Sequence, residues 1–327
     1  MGFRLFIENV EERVLRPEAT RRRKIMRKRL KTIIIFWGLS LLTGFGLVFA
    51  QSSTTDWEKT LAIDPSQPLN FTFHDIDGDL KVMTSEQPTV TIKTHLQALT
   101  KDAKLAERLL KATKVQVNQQ GNDIQVEIIY PRLRAIFFPW RDYRRIKAST
   151  EVSLPVNANL QARLVDGQAR VEGKFKEINL AAVDGSLWLE NVAGQLRLRT
   201  VDGRIAVKQG RGEVQANSVD GHIVIQGGFE PVEVTTTDGD IDIELDPDTS
   251  ISQAWRLSTV DGHIEISLPK NISADLKVET SDGSIRCDLA LAFTESLRGK
   301  QISGRINEGG PLISLRSVDG RIWLRSK

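Results

Sequence analysis

The chain has 327 residues, which leaves open two ordinary domains or one long one, and a formal net charge of +3. The charge is uneven: residues 1–31 carry eleven Lys or Arg against four Glu, whereas residues 32–327 carry thirty-four against thirty-eight acidic residues. The single cysteine, Cys287, excludes an intramolecular disulfide, and its alternation with polar neighbours predicts a small buried side chain rather than a nucleophile.

The N-terminal region joins this basic run to an uncharged stretch. "TIIIFWGLSLLTGFGLVFA" follows Lys31, and the next charge is Asp56. About twenty apolar residues cross a bilayer as a helix, and flanking Lys and Arg stay in the cytoplasm. We therefore expect a basic cytoplasmic tail (1–31), which is a topology signal rather than a nucleic-acid site, and a transmembrane signal-anchor helix (32–52). The protein would be single-pass in the cytoplasmic (inner) membrane, with residues 53–327 periplasmic or extracellular. The small residues of "VFA" before Gln51 keep signal cleavage open.

Asp-Gly pairs then recur along the chain. They begin at residues 77, 166, 184, 202, 220, 238, 261, 282 and 319, and the five pairs from 166 to 238 are 18 residues apart. Such a period is typical of a solenoid. Two and four residues after every glycine the side chain is apolar, as at Ile205 and Val207, which predicts a half-buried strand. A second alternating strand enters each corner, and its last inward residue is small, as at Thr200.

These features predict an all-β fold class for residues 53–327. We expect a parallel β-solenoid (β-helix) with 18-residue coils, each about 4.8 Å from the next along the axis. A short flanking helix and the one N-terminal transmembrane helix complete the predicted architecture.

The Asp-Gly pairs themselves are interpreted as structural turns. Glycine accepts positive φ, and an aspartate side chain can bond its own backbone. One carboxylate per coil falls short of the several oxygens that calcium needs, so the column is predicted to bind no metal, with calcium as the alternative. The turn residues are Asp166, Gly167, Asp184, Gly185, Asp202, Gly203, Asp220, Gly221, Asp238 and Gly239.

The long interval between the first two pairs is predicted to be an insertion, residues 100–148. "KDAKLAERLLKA" (101–112) has leucines at helical spacing and should form an amphipathic helix that caps or flanks the first coil. "YPRLRAIFFPWRDYRRIK" (130–147) places six basic residues among five aromatic ones. It is either a binding loop or an insertion whose aromatic side chains fold back on the rod.

Two tryptophans occupy positions where the solenoid predicts an outward side chain. Trp188 and Trp323 each lie three residues after an Asp-Gly glycine. Trp323 is assigned to a C-terminal cap. Trp188, together with Trp140 and Arg141 of the basic aromatic segment, is the candidate surface for an anionic envelope glycan or a partner protein, although a loop packed over Trp188 would also explain it.

The repeats resemble the bacterial putative-adhesin family, a domain of unknown function. The similarity is carried by "LVDGQARV", "AVDGSLWL", "TVDGRIAV", "SVDGHIVI", "TTDGDIDI", "TVDGHIEI", "TSDGSIRC" and "GGPLISLRSVDGRIWL", and it spans roughly residues 60–327. The resemblance implies a β-solenoid of repeated corners. Members with Ser in place of the corner Asp imply that the column is neither catalytic nor metal-binding.

Three functions remain open at this stage. The first is a non-enzymatic, membrane-anchored adhesion, scaffold or binding module of the bacterial cell envelope, with an envelope polysaccharide or protein as partner and no nucleic acid, cofactor or small-molecule substrate. The second is an envelope-stress sensor working through a membrane partner. The third is a polysaccharide-active β-helix enzyme. No Ser-His-Asp order, zinc spacing or P-loop favours an enzyme, although His222, Asp240 and His263 share one outward row.

Overall fold

The repeats form parallel strands stacked in register, in a computed structural model that describes residues 53–131, 145–297 and 300–327. Nineteen strands and one helix are described. They are β1 (Thr54–Ala62), β2 (Asn70–Ser85), β3 (Thr89–Ala98), α1 (Ala103–Ala112), β4 (Lys114–Gln120), β5 (Asp123–Ile129), β6 (Ile146–Pro155), β7 (Ala158–Ala181), β8 (Asp184–Arg199), β9 (Ile205–Asn217), β10 (Ile223–Thr235), β11 (Ile241–Leu245), β12 (Trp255–Ser258), β13 (Ile264–Leu268), β14 (Ala274–Thr280), β15 (Ser284–Cys287), β16 (Leu291–Leu297), β17 (Gln301–Ile306), β18 (Leu312–Ser317) and β19 (Arg321–Ser326).

Each coil contributes two strand segments that meet at the Asp-Gly corner. We call the stack of segments before the corner ladder A and the stack after it ladder B. In ladder B, Ile205 of β9 pairs with Ile223 of β10, which pairs with Ile241 of β11. In ladder A, Val214 pairs with Val232. The paired residues are spaced by the 18-residue repeat because only that register turns every inward side chain of adjacent coils toward the same core.

The core lies between the two ladders and is continuous along the stack. Inward aliphatic residues of the central coils are buried, and the largest fully buried side chain is Trp255. Phe229 fills the space beside Gly210, where a Cβ would overlap its ring. Burial of this continuous apolar strip is the main stabilising contribution to coils that are too thin to fold alone.

The predicted fold class is wrong in one component, the transmembrane helix. No helix of the described residues is long and apolar enough to cross a membrane. The described helix has ten residues, whereas a span needs about twenty. Residues 32–52, to which the span was assigned, lie outside the described residues.

The coils also depart from chain order at the C-terminal end of the stack. The last coil, β18 and β19, lies between the coil of β12 and β13 and the coil of β14 and β15. Ile313 pairs with both Trp255 and Leu276, and Ile322 pairs with both Ile264 and Ile285. The coil that ends ladder B is therefore the one at Asp282, and not the last coil of the sequence.

Antiparallel strands extend both ends of the stack, a feature that the repeat does not predict. At the N-terminal end, β6 pairs in parallel with β2 and antiparallel with β3. Strand β3 in turn pairs antiparallel with β1. The predicted insertion thus contains α1, the hairpin of β4 and β5, and the start of β6. Helix α1 begins after the N-cap Asp102 and buries Ala106, Leu109 and Leu110 against the core, as expected for a flanking helix. At the other end, β17 and β16 continue ladder A beyond β14.

Candidate functional site

The Asp-Gly edge is a column of backbone contacts between neighbouring coils. The aspartate N–H donates to the coil before it, as from Asp202 to the Val183 carbonyl at 2.8 Å. The glycine N–H donates to the coil after it, as from Gly203 to the Asp220 carbonyl at 3.1 Å. A Cβ placed on Gly203 would overlap the carbonyl oxygen of Gly185. The glycine column therefore keeps the coils close together.

Positive φ explains only part of this column. Gly167 and Gly203 have φ of 129° and 154°, whereas Gly185, Gly221 and Gly239 lie outside the positive range. A Cβ on any of the five would still overlap a carbonyl oxygen of the preceding coil. Close backbone approach, rather than left-handed conformation, is the requirement that all corner glycines share.

The corner aspartates project their side chains into solvent. Asp166, Asp184, Asp202, Asp220 and Asp238 are all exposed, and the bridges between successive aspartates show that they are in register. Within the described residues, no group of three or more His, Cys, Asp or Glu side chains is arranged to hold a metal ion. The role of these side chains as turn residues stays a prediction.

Trp188 lies in a row of outward side chains that crosses the whole of ladder B. Strand pairing places the row in this order: Glu58, Lys93, Glu151, Lys81, Arg170, Trp188, Ala206, Val224, Asp242, Glu265, Trp323 and Arg286. Adjacent members of such a row are about 4.8 Å apart. Trp188 therefore lies between the cationic pair Lys81 and Arg170 on one side and the small apolar pair Ala206 and Val224 on the other.

The indole of Trp188 leans toward the next coil. The guanidinium carbon of Arg204 lies 5.5 Å from the centre of its ring, within the range of a cation–π contact. Ala206, on the same coil as Arg204, is outward-facing yet only 1% exposed. Trp188 itself is half-buried, so part of its side chain remains accessible.

A shallow depression of about 350 Å³ lies beside Trp188. Lys81 and Arg170 line it in the row of Trp188, and Glu172 and Glu190 line it two residues further along the strands. Met83, 41% exposed, adds apolar surface. Lys81 and Arg170 form no salt bridge within the described residues, and Arg170 donates a hydrogen bond to the Gln168 side-chain oxygen at 3.4 Å. The depression thus offers an aromatic face, two cations outside any salt bridge and two carboxylate acceptors.

The other two residues of the predicted surface, Trp140 and Arg141, lie outside the described residues. The described ends of their segment are at the first Asp-Gly corner. The Tyr130 hydroxyl contacts the carbonyl oxygen of Asp77 at 2.6 Å, and Lys147 forms a salt bridge with Asp79 at 2.8 Å. That Trp188 shares a surface with Trp140 and Arg141 therefore stays a prediction.

Trp323, at the equivalent outward position, has a different environment. The guanidinium carbons of Arg325 and Arg286 lie 3.4 and 4.6 Å from its ring centre. Its indole N–H donates to an Asp288 carboxylate oxygen at 2.8 Å. The predicted position of Trp323 at the C-terminal end is wrong, because its coil is flanked by a coil on each side. The side chain of Trp323 is therefore paired with the charged groups around it.

The predicted polar row is also observed. His222 Nε2 lies 3.0 Å from an Asp242 carboxylate oxygen, and its Nδ1 lies 4.0 Å from Asp240. Asp240 accepts the backbone N–H of His263 at 2.8 Å, and His263 Nδ1 accepts the N–H of Arg321 at 3.0 Å. These contacts join four successive coils on an open face of ladder B.

Two groups of residues were missed by the sequence analysis. A second glycine column lies at the opposite corner, where a Cβ on Gly194 or Gly212 would overlap the carbonyl oxygen of Phe175 or Gly194. The 18-residue spacing of Gly194 and Gly212 could have predicted this column from the sequence. The second group is Asp75 and Tyr130, whose side chains meet inside the first coil at 2.7 Å. No sequence spacing indicates that contact, because 55 residues separate the two.

A family model described as Toastrack DUF4097 matches residues 78–325. No curated protein sequence matches the chain.

Several solved bacterial structures resemble the chain at low identity. One is a putative cell adhesion protein from Clostridium sporogenes, with 12% identity over 84% of this chain and 100% of that chain and a TM-score of 0.27. A second is a putative adhesin from Parabacteroides merdae, with 11% identity over 82% and 95% of the two chains and a TM-score of 0.35. A third, from Parabacteroides distasonis, is described as a putative lipid binding protein, with 13% identity over 82% and 96% and a TM-score of 0.32. These likenesses identify no function for this chain.

Proposed function

Since the chain belongs to the Toastrack DUF4097 family, we propose that it is a non-enzymatic binding module of the bacterial cell envelope, with the depression beside Trp188 as its binding surface. The observation that carries this proposal is the half-buried indole of Trp188 beside Lys81 and Arg170, two cations without a salt-bridge partner among the described residues. An incompletely buried tryptophan beside cations is typical of a binding surface.

The chemistry of the depression fits an anionic glycan. A sugar ring stacks on an indole face through its C–H groups, and acidic substituents bind Lys81 and Arg170 by charge-assisted hydrogen bonds. Glu172 and Glu190 can accept hydrogen bonds from sugar hydroxyl groups. The surface is flat and open along the stack, so an extended polysaccharide could follow the row without entering a cleft.

The location of the module is a proposal that rests on the sequence alone. Residues 1–31 are basic and an uncharged stretch follows them, a charge distribution typical of proteins whose C-terminal part is outside the cytoplasm. Protease added to intact spheroplasts should then digest the repeat region, and protection of that region would contradict the location.

Binding can be tested with two matched tryptophan variants. Full-length protein is run through native gels that contain polygalacturonate, an anionic polymer, or dextran, an uncharged one. Wild-type protein should be retarded by polygalacturonate only, and less so at high salt because the contacts are charge-assisted. Trp188→Ala should weaken retardation roughly tenfold or more, as truncation of a central aromatic residue does at binding surfaces.

The control is Trp323→Ala, which removes the same side chain from the same outward row outside the depression. It should leave retardation unchanged, whereas Arg170→Gln should weaken it. Equal binding by folded Trp188→Ala and wild-type protein would refute the assigned surface, and no retardation of wild-type protein by any anionic glycan would refute the ligand class. Trp140→Ala in the same gels tests the part of the surface outside the described residues.

A further inference from the structure

Asp75 occupies a position that holds Leu164 and Ala182 in the next two coils and a small hydroxyl residue in every coil from Asp202 on. It lies three residues before the corner glycine, Gly78, and is only 5% exposed. In later coils the same position is buried and holds a hydroxyl side chain. Those residues are Thr200, Ser218, Thr236, Thr259, Thr280 and Ser317.

In several coils this hydroxyl makes one particular hydrogen bond. Thr200 donates to the carbonyl oxygen of Gly185 at 3.1 Å, and Thr259 donates to that of Gly239, also at 3.1 Å. The acceptor in each case is the corner residue of the preceding coil in the stack. A donor at this position can therefore tie a corner to the one before it, as it does at Thr200, Thr259 and Ser317.

For the first coil, the equivalent acceptor is Ala148 of β6. Gly78 pairs with Ala148 in the parallel register of β2 and β6, just as each later corner glycine stacks on the one before it. A Cβ placed on Gly78 would lie 2.8 Å from the Ala148 carbonyl oxygen and would overlap Asp75 Oδ2. Asp75 Oδ2 and the Ala148 oxygen thus both lie within 3 Å of the same point.

The two carboxyl oxygens of Asp75 are used differently. Oδ1 accepts the Ile76 N–H at 2.7 Å and the Asp77 N–H at 3.3 Å, and it lies 2.7 Å from the Tyr130 hydroxyl, which is also 2.6 Å from the Asp77 carbonyl oxygen. Oδ2 is buried and has no hydrogen-bond partner among the described residues. An ionised carboxylate can only accept and would leave the buried Oδ2 without a donor, whereas a carboxylic acid can donate from Oδ2.

We propose that Asp75 keeps its proton in the folded protein, donates it from Oδ2 to the carbonyl oxygen of Ala148, and acts as a proton-dependent latch between the first coil and β6. Loss of the proton removes the donor and weakens the attachment of β6. The latch lies at both described ends of the segment that carries Trp140, because Tyr130 precedes that segment and β6 follows it.

The surroundings of Asp75 favour the protonated form. Burial raises the pKa of Asp75 to about 7, against the lowering effect of the hydrogen bonds from Tyr130 and from the Asp77 and Ile76 N–H groups, and the nearby Asp77 carboxylate raises it further. Burial also raises the pKa of Tyr130, which stays a neutral donor. From β6, Lys147 is engaged by Asp79 at 2.8 Å, and the residue of β7 opposite Asp75 is the uncharged Leu164.

The sign of the pH dependence follows from this raised pKa. The folded state holds a proton that the unfolded chain releases above its ordinary pKa of about 3.8. The contribution to stability is therefore complete below about pH 4 and is lost progressively as the pH rises to about 7.

The test compares full-length wild-type protein with Asp75→Thr, which restores the hydroxyl of the other coils without a titratable group. The melting temperature is measured from pH 4 to 9. Between about pH 4 and 7.5 the melting temperature of wild-type protein should fall relative to that of Asp75→Thr. Asp166→Asn, an exposed corner aspartate of the next coil, should keep the wild-type profile.

A second measurement does not depend on the folding of that variant. Infrared difference spectra of wild-type protein should show one buried carboxylic acid C=O band that disappears with a midpoint near pH 7, and the band should be absent in Asp75→Asn. Parallel melting profiles of wild-type and Asp75→Thr proteins, or an infrared spectrum with Asp75 ionised at pH 5, would overturn the latch.

Discussion

Replacement of Gly239 by alanine tests whether the corner glycines serve coil-to-coil approach rather than left-handed backbone. Gly239 lies outside the positive-φ range, so alanine is compatible with its own conformation. Its added Cβ would nevertheless overlap the carbonyl oxygen of Gly221 on the preceding coil. That oxygen belongs to a corner whose own Gly221 N–H donates to the Asp238 carbonyl at 3.0 Å, so displacing it disturbs the pairing of the two coils.

The magnitude follows from this immobility. Overpacking usually costs about 1–3 kcal/mol, and an obstacle in the backbone places Gly239→Ala near the upper end, at about 3 kcal/mol. With a urea dependence of about 3 kcal/mol per molar for a chain of this size, the unfolding midpoint should fall by about 1 M. The assay is urea unfolding of purified protein followed by the fluorescence of its tryptophans, among them the buried Trp255.

Gly228→Ala is the matched control. The nearest atoms to a Cβ on Gly228 are 3.7 Å away, which is ordinary van der Waals contact, and its φ is also outside the positive range. Its free energy of unfolding should lie within about 0.5 kcal/mol of that of wild-type protein, as expected for a substitution without a clash. If the urea midpoint of Gly239→Ala is as high as that of Gly228→Ala, the close stacking of corner glycines does not constrain these positions.

Two further predictions concern the same corners. Thr200→Val should cost about 1 kcal/mol in urea unfolding because it removes the hydrogen bond to Gly185, whereas Thr236→Val should be nearly neutral because that hydroxyl has no partner among the described residues; equal losses would show that the hydroxyl column contributes only packing. Asp202→Ser should leave stability within about 1 kcal/mol, since Ser also supports such turns. A calcium-dependent rise in melting temperature that disappears in Asp202→Ser would instead favour a metal role for the column.

Parts of the functional interpretation were accessible from sequence because they depend on position within a repeat. The outward placement of Trp188 follows from alternation along a strand, and the structure shows it half-buried on the predicted face. The alignment of His222, Asp240 and His263 follows from the same period. The cations beside Trp188 required the three-dimensional pairing, because Lys81 lies 107 positions earlier in the chain and reaches the row through β2 and β7.

The sequence by itself determined the parallel stacking of the 18-residue coils. Inward aliphatic residues recur at fixed distances from each glycine, and a slip of one residue would turn all of them to solvent, so one register is strongly preferred. The position of the corner glycines followed from the same repeat, although their close backbone approach, rather than positive φ alone, is the reason that the structure supplies.

Only the tertiary structure decided how the stack ends and in which order its coils lie. Any coil with the same inward pattern can pair with any other, so the pattern does not predict which coils are adjacent. In the structure, the coil of β18 and β19 lies between two coils that precede it in sequence. The same holds for Asp75. Its sequence position marks a corner, but its burial against Tyr130 and Ala148 arises only when β5 and β6 fold back onto β2, because contacts between distant segments are set by packing and not by local pattern.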